Sequence, residues 1–410
     1  MARFFAWLGA ILLLPVLVVA GLLLAALDAK PLVDRGETIS PAAIAQAKRL
    51  FAANDPRRLQ GGERRTVAIP AALLDEGANY LANRFLKSRG ALVLAEESAE
   101  IRLSFRLPGA GYLNLRTTIH EAENEPHIAA AAIGSLPVPA ALVETAINWA
   151  VGQAGVGSEW SLARRAIRQL SFEPAAGTVT VTYVWAPEIL ARARAIALNP
   201  EDVARLKVAQ TALAGLLDHR ATGARVPLAA TLKPLLLLPS DEAPAMRRAA
   251  LLVLAIYLYE KDLAALVPEA RQWPRPRPVA LTLQGRYDSA QHFAISAALA
   301  AWAGEPVADA IGLYKELDDA RHGSGFSFAD LAADRAGTRF GELAVRAGER
   351  LDAALQGDFA EADLLPPLAG LPEFLGEREF RRRFGGAGSP AYREMAAEIE
   401  RRVAALPLYR

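Results

Sequence analysis

Between Tyr287 and Glu342 the chain repeats one arrangement three times: polar and small residues share a single stripe of an otherwise apolar helical pattern. In SAQHFAISAALAAW, Ser289, His292 and Ser296 fall at i, i+3 and i+7. In VADAIGLYKELDD the stripe is Asp309, Gly312, Glu316 and Asp319, and in FADLAADRAGTRFGE it is Asp330, Asp334, Gly337 and Gly341. Small residues let helix backbones approach closely, so the polar groups should converge in a narrow cleft. There a carboxylate must be paired, protonated or metal-bound. A histidine beside several acids can shuttle protons or, with Glu316 and Asp334, offer an oxygen-and-imidazole metal site. Paired carboxylates also suit glycoside cleavage when they stand about 5–9.5 Å apart. The candidate cleft is therefore His292, Glu316, Asp319, Asp330 and Asp334, with any cofactor left open. The same residues have plain structural explanations. Ser327-x-x-Asp330 is a capping-box pattern, and Asp309 follows Pro306 as a first-turn acid. A structural network predicts that losing His292 costs about 1–3 kcal/mol of folding stability, and a functional cleft predicts lost function instead.

Other candidate chemistry is thinner. The turn HGSGFS, His322 to Ser327, sets two glycines before a serine cap, so its amides could cradle an anion, although it lacks the ending of a phosphate-binding loop. His120 and His127 flank HEAENEPH, whose acids could hold a divalent ion but read more simply as an exposed hairpin loop. His219 ends a helix, where a cation complements the dipole. EREFRRRFGG, Glu377 to Gly386, is a basic helix end before a glycine turn, better suited to solvent than to anionic headgroups. The chain has no cysteine, which excludes disulfides, thiolate metal sites and a cysteine nucleophile.

Over residues 287–342 the chain resembles the YfiM-like envelope lipoproteins and, more distantly, VanZ-like membrane proteins. The resemblance rests on His292-Phe293, Lys315-Glu316, and Ser327 followed by Asp330, Leu331, Asp334 and Gly337. It implies a cell-envelope setting without implying a reaction. VanZ-like proteins differ in carrying these helices within the membrane. Residues 64–150, from TVAIPAALLDEGANYL to IGSLPVPAALVETAI, resemble the small YpmS-type envelope domains, whose sheets are lipid-binding-like. A curved sheet of this kind can cover an acyl chain, but the apolar positions Val67, Ile69, Leu103, Phe105, Leu113, Leu115 and Ile119 read first as ordinary core.

The elements around the cleft follow from patterning. Just over half of the 410 residues are apolar and 22% are charged, so the chain should fold, in more than one domain. A formal net charge of +1 with interspersed signs offers no field for nucleic acid. Phe4 to Leu27 contains no charged residue, and at 1.5 Å per residue it covers a bilayer core of about 30 Å. It reads as an uncleaved anchor over residues 1–29, ahead of the competing cleaved signal peptide, whose apolar run is usually shorter and for which no clean A-x-A site precedes Asp28 or Lys30. LLVLAIYLYEKDLAAL is interrupted by Glu260, Lys261 and Asp262 and reads as a buried helix. Ser40-Pro41 starts a juxtamembrane helix within 30–60. Period-two segments with two amphipathic helices over 61–190 predict an α+β domain with an antiparallel sheet. Helical spacing divided by Pro and Gly predicts an all-α domain over 191–410, with QWPRPRPVALTL as an extended connector.

These expectations place the chain in the inner membrane, single-pass, with its bulk in the periplasm. The leading functional expectation is an accessory or binding protein touching membrane lipid through the anchor and an envelope glycan, lipid or membrane-protein partner, with no nucleic acid. An envelope hydrolase acting through the cleft and a scaffold of a membrane complex are the alternatives.

Overall fold

The computed structural model describes residues 25–410 apart from 56–57, 124–125, 154, 189–191, 193–197, 347–348 and 410. The anchor expected over residues 1–29 thus falls mostly outside the described residues. Among those described, no helix is long and apolar enough to cross a membrane. The chain divides into two compact units, residues 1–197 and 198–410.

The first unit is α+β. One antiparallel sheet runs in the order β3 (Arg89–Ala95), β4 (Ser98–Leu107), β5 (Gly111–His120), β6 (Ile128–Ile133) and β7 (Leu136–Val138). A second antiparallel sheet joins β2 (Arg64–Pro70), β9 (Thr178–Val184) and β8 (Ile167–Glu173). Helices α1 (Pro41–Ala53), α2 (Ala71–Leu86), α3 (Ala140–Gln153) and α4 (Gly157–Ala166) complete the unit. Ser40 caps α1 by accepting the Ala43 amide, while its own amide and hydroxyl donate to Glu76. The apolar strand positions Leu103, Phe105, Leu113, Leu115 and Ile119 are only half-buried, and the buried groups on those strands are Ala99 and the polar Ser104, Asn114 and Thr117. Ser104 Oγ donates to Asn114 Oδ1 and accepts the amides of Leu32 and Val33. Asn114 Nδ2 donates to Asp28, and Arg35 grips Asp75 and the Gly90 carbonyl. Residues 27–36 are thereby stitched onto the sheet, beginning with a two-residue strand, β1 (Leu27–Asp28), paired with Leu113 and Tyr112 of β5. Leu27, read as the last residue of the apolar run, belongs to this strand.

The second unit is helical. Its helices are α5 (Pro200–Asp218), α6 (Leu228–Leu236), α7 (Ala243–Leu258), α8 (Tyr287–Ala303), α9 (Glu305–His322), α10 (Phe328–Val345), α11 (Glu349–Gln356), α12 (Glu361–Leu364), α13 (Glu377–Phe384) and α14 (Pro390–Ala404). It also holds two short parallel strands, β10 (Arg225–Pro227) and β11 (Ala280–Thr282), where helical spacing alone predicted none. The connector after Trp273 is extended as expected, held by the Tyr257 hydroxyl, which bonds the main chain of Val279 and Arg277. α7 stops at Leu258 because Glu260 turns to φ +54°, just where the charges EKD interrupt the apolar run. Helical spacing runs on from Phe328 to Leu351, but the structure divides it into α10 and α11, α10 ending at Val345 with an extended Arg346.

The core of this unit places the site. α8 is buried on several sides by alanines 290, 294, 297, 298, 300 and 301, against α10, α7 and α9. A Cβ at Gly337 would lie 2.2 Å from the Phe293 carbonyl oxygen, and one at Gly341 would lie 2.1 Å from that of Ala297. α8 and α10 therefore meet backbone to backbone over two successive turns. A cluster of Phe326, Phe328, Phe380, Phe384 and Tyr392 seals the start of α10, and α13 spends its Phe380 and Phe384 there. Its Arg381 and Arg383 pair with Glu377 and Glu379 one turn back, as a solvated helix end does.

Candidate functional site

The close crossing of α8 on α10 puts His292, one residue before Phe293, opposite Asp334, one turn before Gly337. His292 Nδ1 lies 3.1 Å from Asp334 Oδ1, and Ser296 Oγ donates to the same oxygen at 2.8 Å. Nδ1 therefore carries the proton toward the carboxylate, which leaves Nε2 facing the mouth of the cluster. α9 closes the third side. Its Gly312 makes room for Asp334, since a Cβ there would sit 2.9 Å from Asp334 Oδ2. One turn on, Glu316 is wholly buried: its Oε2 accepts the Ser327 amide at 2.9 Å, and its Oε1 points at His292 Nδ1 from 4.0 Å. Asp330, in the first turn of α10, brings Oδ2 to 3.7 Å from His292 Nε2. At the rim Lys315 Nζ stands 3.2 Å from Nε2, 2.8 Å from Asp319 Oδ2 and 3.8 Å from Glu316 Oε1.

All five candidate residues thus share one cluster, with Asp319 joined through Lys315. Asp309, on the same sequence stripe, turns away and pairs with Arg335. The anion cradle expected at His322–Ser327 is not formed. The amides of Gly323 and Gly325 donate to the Asp319 carbonyl, that of Phe326 to the Leu375 carbonyl, and that of Ser327 to Glu316. His120 and His127 are exposed beside β5 and β6, and part of the loop between them lies outside the described residues. His219 is the residue following α5.

Two residues enter that the stripes did not include. Lys315 lies one position before Glu316, off the polar stripe, where only the family resemblance drew attention to it. Arg286, just before α8, holds Asp288 and Glu373 and stands 4.0 Å from Asp330 Oδ1. Glu373 is too distant in sequence for spacing to have linked it to Arg286.

The electrostatics are unbalanced. Four carboxylates, Glu316, Asp319, Asp330 and Asp334, face Lys315 and His292, with Arg286, already engaged by Asp288 and Glu373, at the edge beside Asp330. Burial, reinforced by the Asp334 charge, pushes the Glu316 carboxyl up to about 8. Asp330 is raised too, chiefly by burial, against the pull of His292. For His292 burial opposes the charge, but Asp334 and Asp330 outweigh it and lift the imidazole to about 9. An ammonium and an imidazolium cannot both donate across 3.2 Å, so this contact is a hydrogen bond only for the neutral imidazole, the form that prevails above about pH 9. Protonation of His292 would send the half-exposed lysine to Asp319 alone. Glu316 Oε1, Asp330 Oδ1 and Asp334 Oδ2 are buried without a hydrogen-bond partner, as are the hydroxyls of Ser289 and Thr338. Unmatched buried oxygens of this kind cost folding free energy unless a proton or a cation joins them.

These directions fix a pH dependence for the metal-free protein. The raised His292 stabilises the fold fully below about 6.5 and loses that contribution as pH rises through 9. Glu316 ionises near 4.5 in the unfolded chain but near 8 in the fold, so its penalty grows from 4.5 and is complete above 8. Both effects lower stability on the alkaline side. The Tm of the metal-free chain is expected to fall from pH 6 to pH 9 more steeply than that of Glu316→Gln, and parallel profiles would refute the assignment.

A groove of about 690 Å³ lies elsewhere in the unit, lined by Tyr257, Lys261, Leu263, Arg275 and Tyr287, and none of the five candidate residues lines it. One ligand atom each from His292, Glu316 and Asp330 lies within 4.8 Å of the other two, the geometry of a potential cation site. No family model matches the chain, and no curated protein or solved structure matches it.

Proposed function

We propose that this is a membrane-anchored envelope binding protein whose helical unit holds a divalent first-row cation between His292 Nε2, Glu316 and Asp330. The observation that carries the reading is Glu316, fully buried with Oε1 aimed at His292 and without a hydrogen-bond partner, beside the equally unmatched Asp330 Oδ1 and Asp334 Oδ2. Ligands about 2.1 Å from one ion lie about 3–4.2 Å apart, so the present spacing needs only a small closure. Asp334 has the place of the carboxylate that orients a ligating imidazole through its other nitrogen. One imidazole with carboxylates favours Zn²⁺ or Mn²⁺ over cations that prefer thiolate. Lys315 sits where such an ion would neutralise the acids, and its exposed side chain can swing aside.

The anchored, periplasmic placement rests on the uncharged run from Phe4 to Leu27 and on the envelope resemblance of residues 287–342. The hydrolase alternative has less support. A glycan or headgroup would have to reach an imidazole only 8% exposed, and the substrate-sized groove lies elsewhere. A purely scaffolding role explains the helices but assigns nothing to the unmatched oxygens.

Metal-free full-length protein in detergent is expected to bind one equivalent of Zn²⁺ or Mn²⁺ in calorimetric titration. His292→Ala and Asp330→Asn should weaken binding at least about 100-fold, and Lys315→Met should strengthen it by removing the competing ammonium. Binding that is absent, or indifferent to His292 and Asp330, would reject the reading.

A further inference from the structure

The first unit carries an apolar surface on the same edge of its sheet as the point where the chain leaves the uncharged run, although toward the other end of β6: Glu144 of α3 is tied to Ile128, whereas Ala25 meets Ser135 beyond Ile133. Ala25, the first described residue, accepts hydrogen bonds at its carbonyl from the amide and hydroxyl of Ser135, in the β6–β7 turn. Gly134 in that turn, at φ +57°, lies directly against the carbonyls of Ala25 and Ala26. β1 pairs with β5 at Leu113 and Tyr112, and β6 pairs with the same strand from Leu115 onward. β4 occupies the other side of β5, so the chain exit, β6, β7 and the following α3 share one lateral edge of the sheet.

α3 has an unusual surface for water. Over AALVETAINWAVGQ only Val143 is buried, while Leu142 is 62% and Trp149 68% exposed. Its one charged residue, Glu144, accepts the Ile128 amide and is thereby tied to the sheet. Trp160 of α4, itself exposed, donates its indole N–H to Asn148 and is held beside the helix. The helix thus presents about 21 Å of uncharged surface with tryptophans alongside, the composition found at the headgroup level of bilayers. Among the other exposed apolar residues described in this unit, Leu81, Phe85 and Leu86 belong to α2, packed on β3 at the far edge, Val93 and Leu107 stand singly on β3 and β4, and Phe51 stands alone on α1. The proximity argument does not extend to them.

We infer that α3, with Trp149 and Trp160, lies in the headgroup region of the same bilayer that receives residues 4–24, so that the first unit rests on the membrane by its β7 edge. The occupant follows from where the chain ends its uncharged run. Because residues 27–36 are stitched to the sheet, there is no slack linker to lift this edge away. The inference rests on the anchored reading of the chain.

The native chain has no cysteine, so single cysteines report cleanly. Leu142→Cys, Trp149→Cys and, in the β3–β4 turn at the opposite edge of the sheet, Glu96→Cys would be labelled with an environment-sensitive fluorophore. The full-length protein would then be reconstituted in vesicles with and without doxyl-labelled acyl chains. At least two-fold quenching by doxyl lipid is expected at residues 142 and 149 and none at 96. Quenching of those two labels by aqueous iodide instead overturns the inference, and so does shielding from both quenchers, which would mean that protein covers the helix. Resistance of the protein to alkaline carbonate extraction reads the anchor separately. Retained protein with iodide-quenched labels rejects the α3 contact alone, whereas protein that fails to stay with vesicles rejects the anchor.

Discussion

Gly337→Val should leave the helical unit unfolded, or close to it, at temperatures where the parent chain is folded. The first side-chain carbon would already fall 2.2 Å from the Phe293 carbonyl oxygen, and a backbone atom of a buried helix cannot rotate aside as a side chain can. The two helices would have to separate by more than an ångström, uncovering alanines 290, 294 and 297 together with Phe340. Overpacking costs about 1–3 kcal/mol where side chains can adjust, and a backbone clash should exceed that. Against a total stability of about 5–15 kcal/mol such a loss is decisive. Gly337→Ala gives the graded version. In an open helical position glycine to alanine gains about 1 kcal/mol, and Gly215 of α5, with nothing within 4 Å of its would-be Cβ, should show that gain. The two alanine variants are expected to shift Tm in opposite directions. If both raise it, the backbone contact between α8 and α10 does not exist.

Glu316→Gln should separate the two meanings of the buried cluster by moving two quantities independently. At neutral pH the carboxyl, raised to about 8, is mostly protonated, so a neutral amide of the same shape replaces it with little change in charge. The glutamine oxygen can still accept the Ser327 amide that ties α9 to α10. The metal-free variant is therefore expected to melt within a few degrees of the parent. Saturating Zn²⁺ or Mn²⁺ should stabilise the parent by about 4 kcal/mol at 1,000 times Kd, and should do nothing for the variant. A purely structural network predicts the reverse: no response to metal in either protein, and a variant weakened by about 1–3 kcal/mol through a mismatched buried group. Differential scanning calorimetry with and without the ion distinguishes them.

Much of this was legible in the residues because the features that matter are periodic. His292, Glu316 and Asp334 could be set on helix faces from spacing alone, and the glycines beside them announced a close crossing. The regular strands of the first unit, from RTVAIP to TVTVTYV, carry β-branched or alternating patterns and were readable for the same reason. What escaped reading was set by partners distant along the chain. IRQLSFE shows its alternation weakly and becomes β8 by pairing with β9. The helix at Leu228–Leu236 was hidden by Pro234 in its interior. Asp309 shares the spacing of the cleft residues, yet Arg335 draws it off the cluster, a choice no spacing rule contains. Lys315 was invisible to a stripe argument because a long side chain reaches a site from a neighbouring helical position.

The contact of Gly337 and Gly341 with the carbonyls of α8 also bears on how this cluster can be moved or copied. Its side chains are placed by main-chain contact rather than by the interlocking of large neighbours, and alanine and glycine have almost no rotamers to lose on burial. Transplanting His292, Glu316, Asp330 and Asp334 onto helices that cross at an ordinary distance of 8–10 Å should therefore fail to rebuild the cluster. The portable unit is the trio α8, α9 and α10 with its glycines and alanines, and within it the silent small residues, more than the charged ones, carry the address of the site.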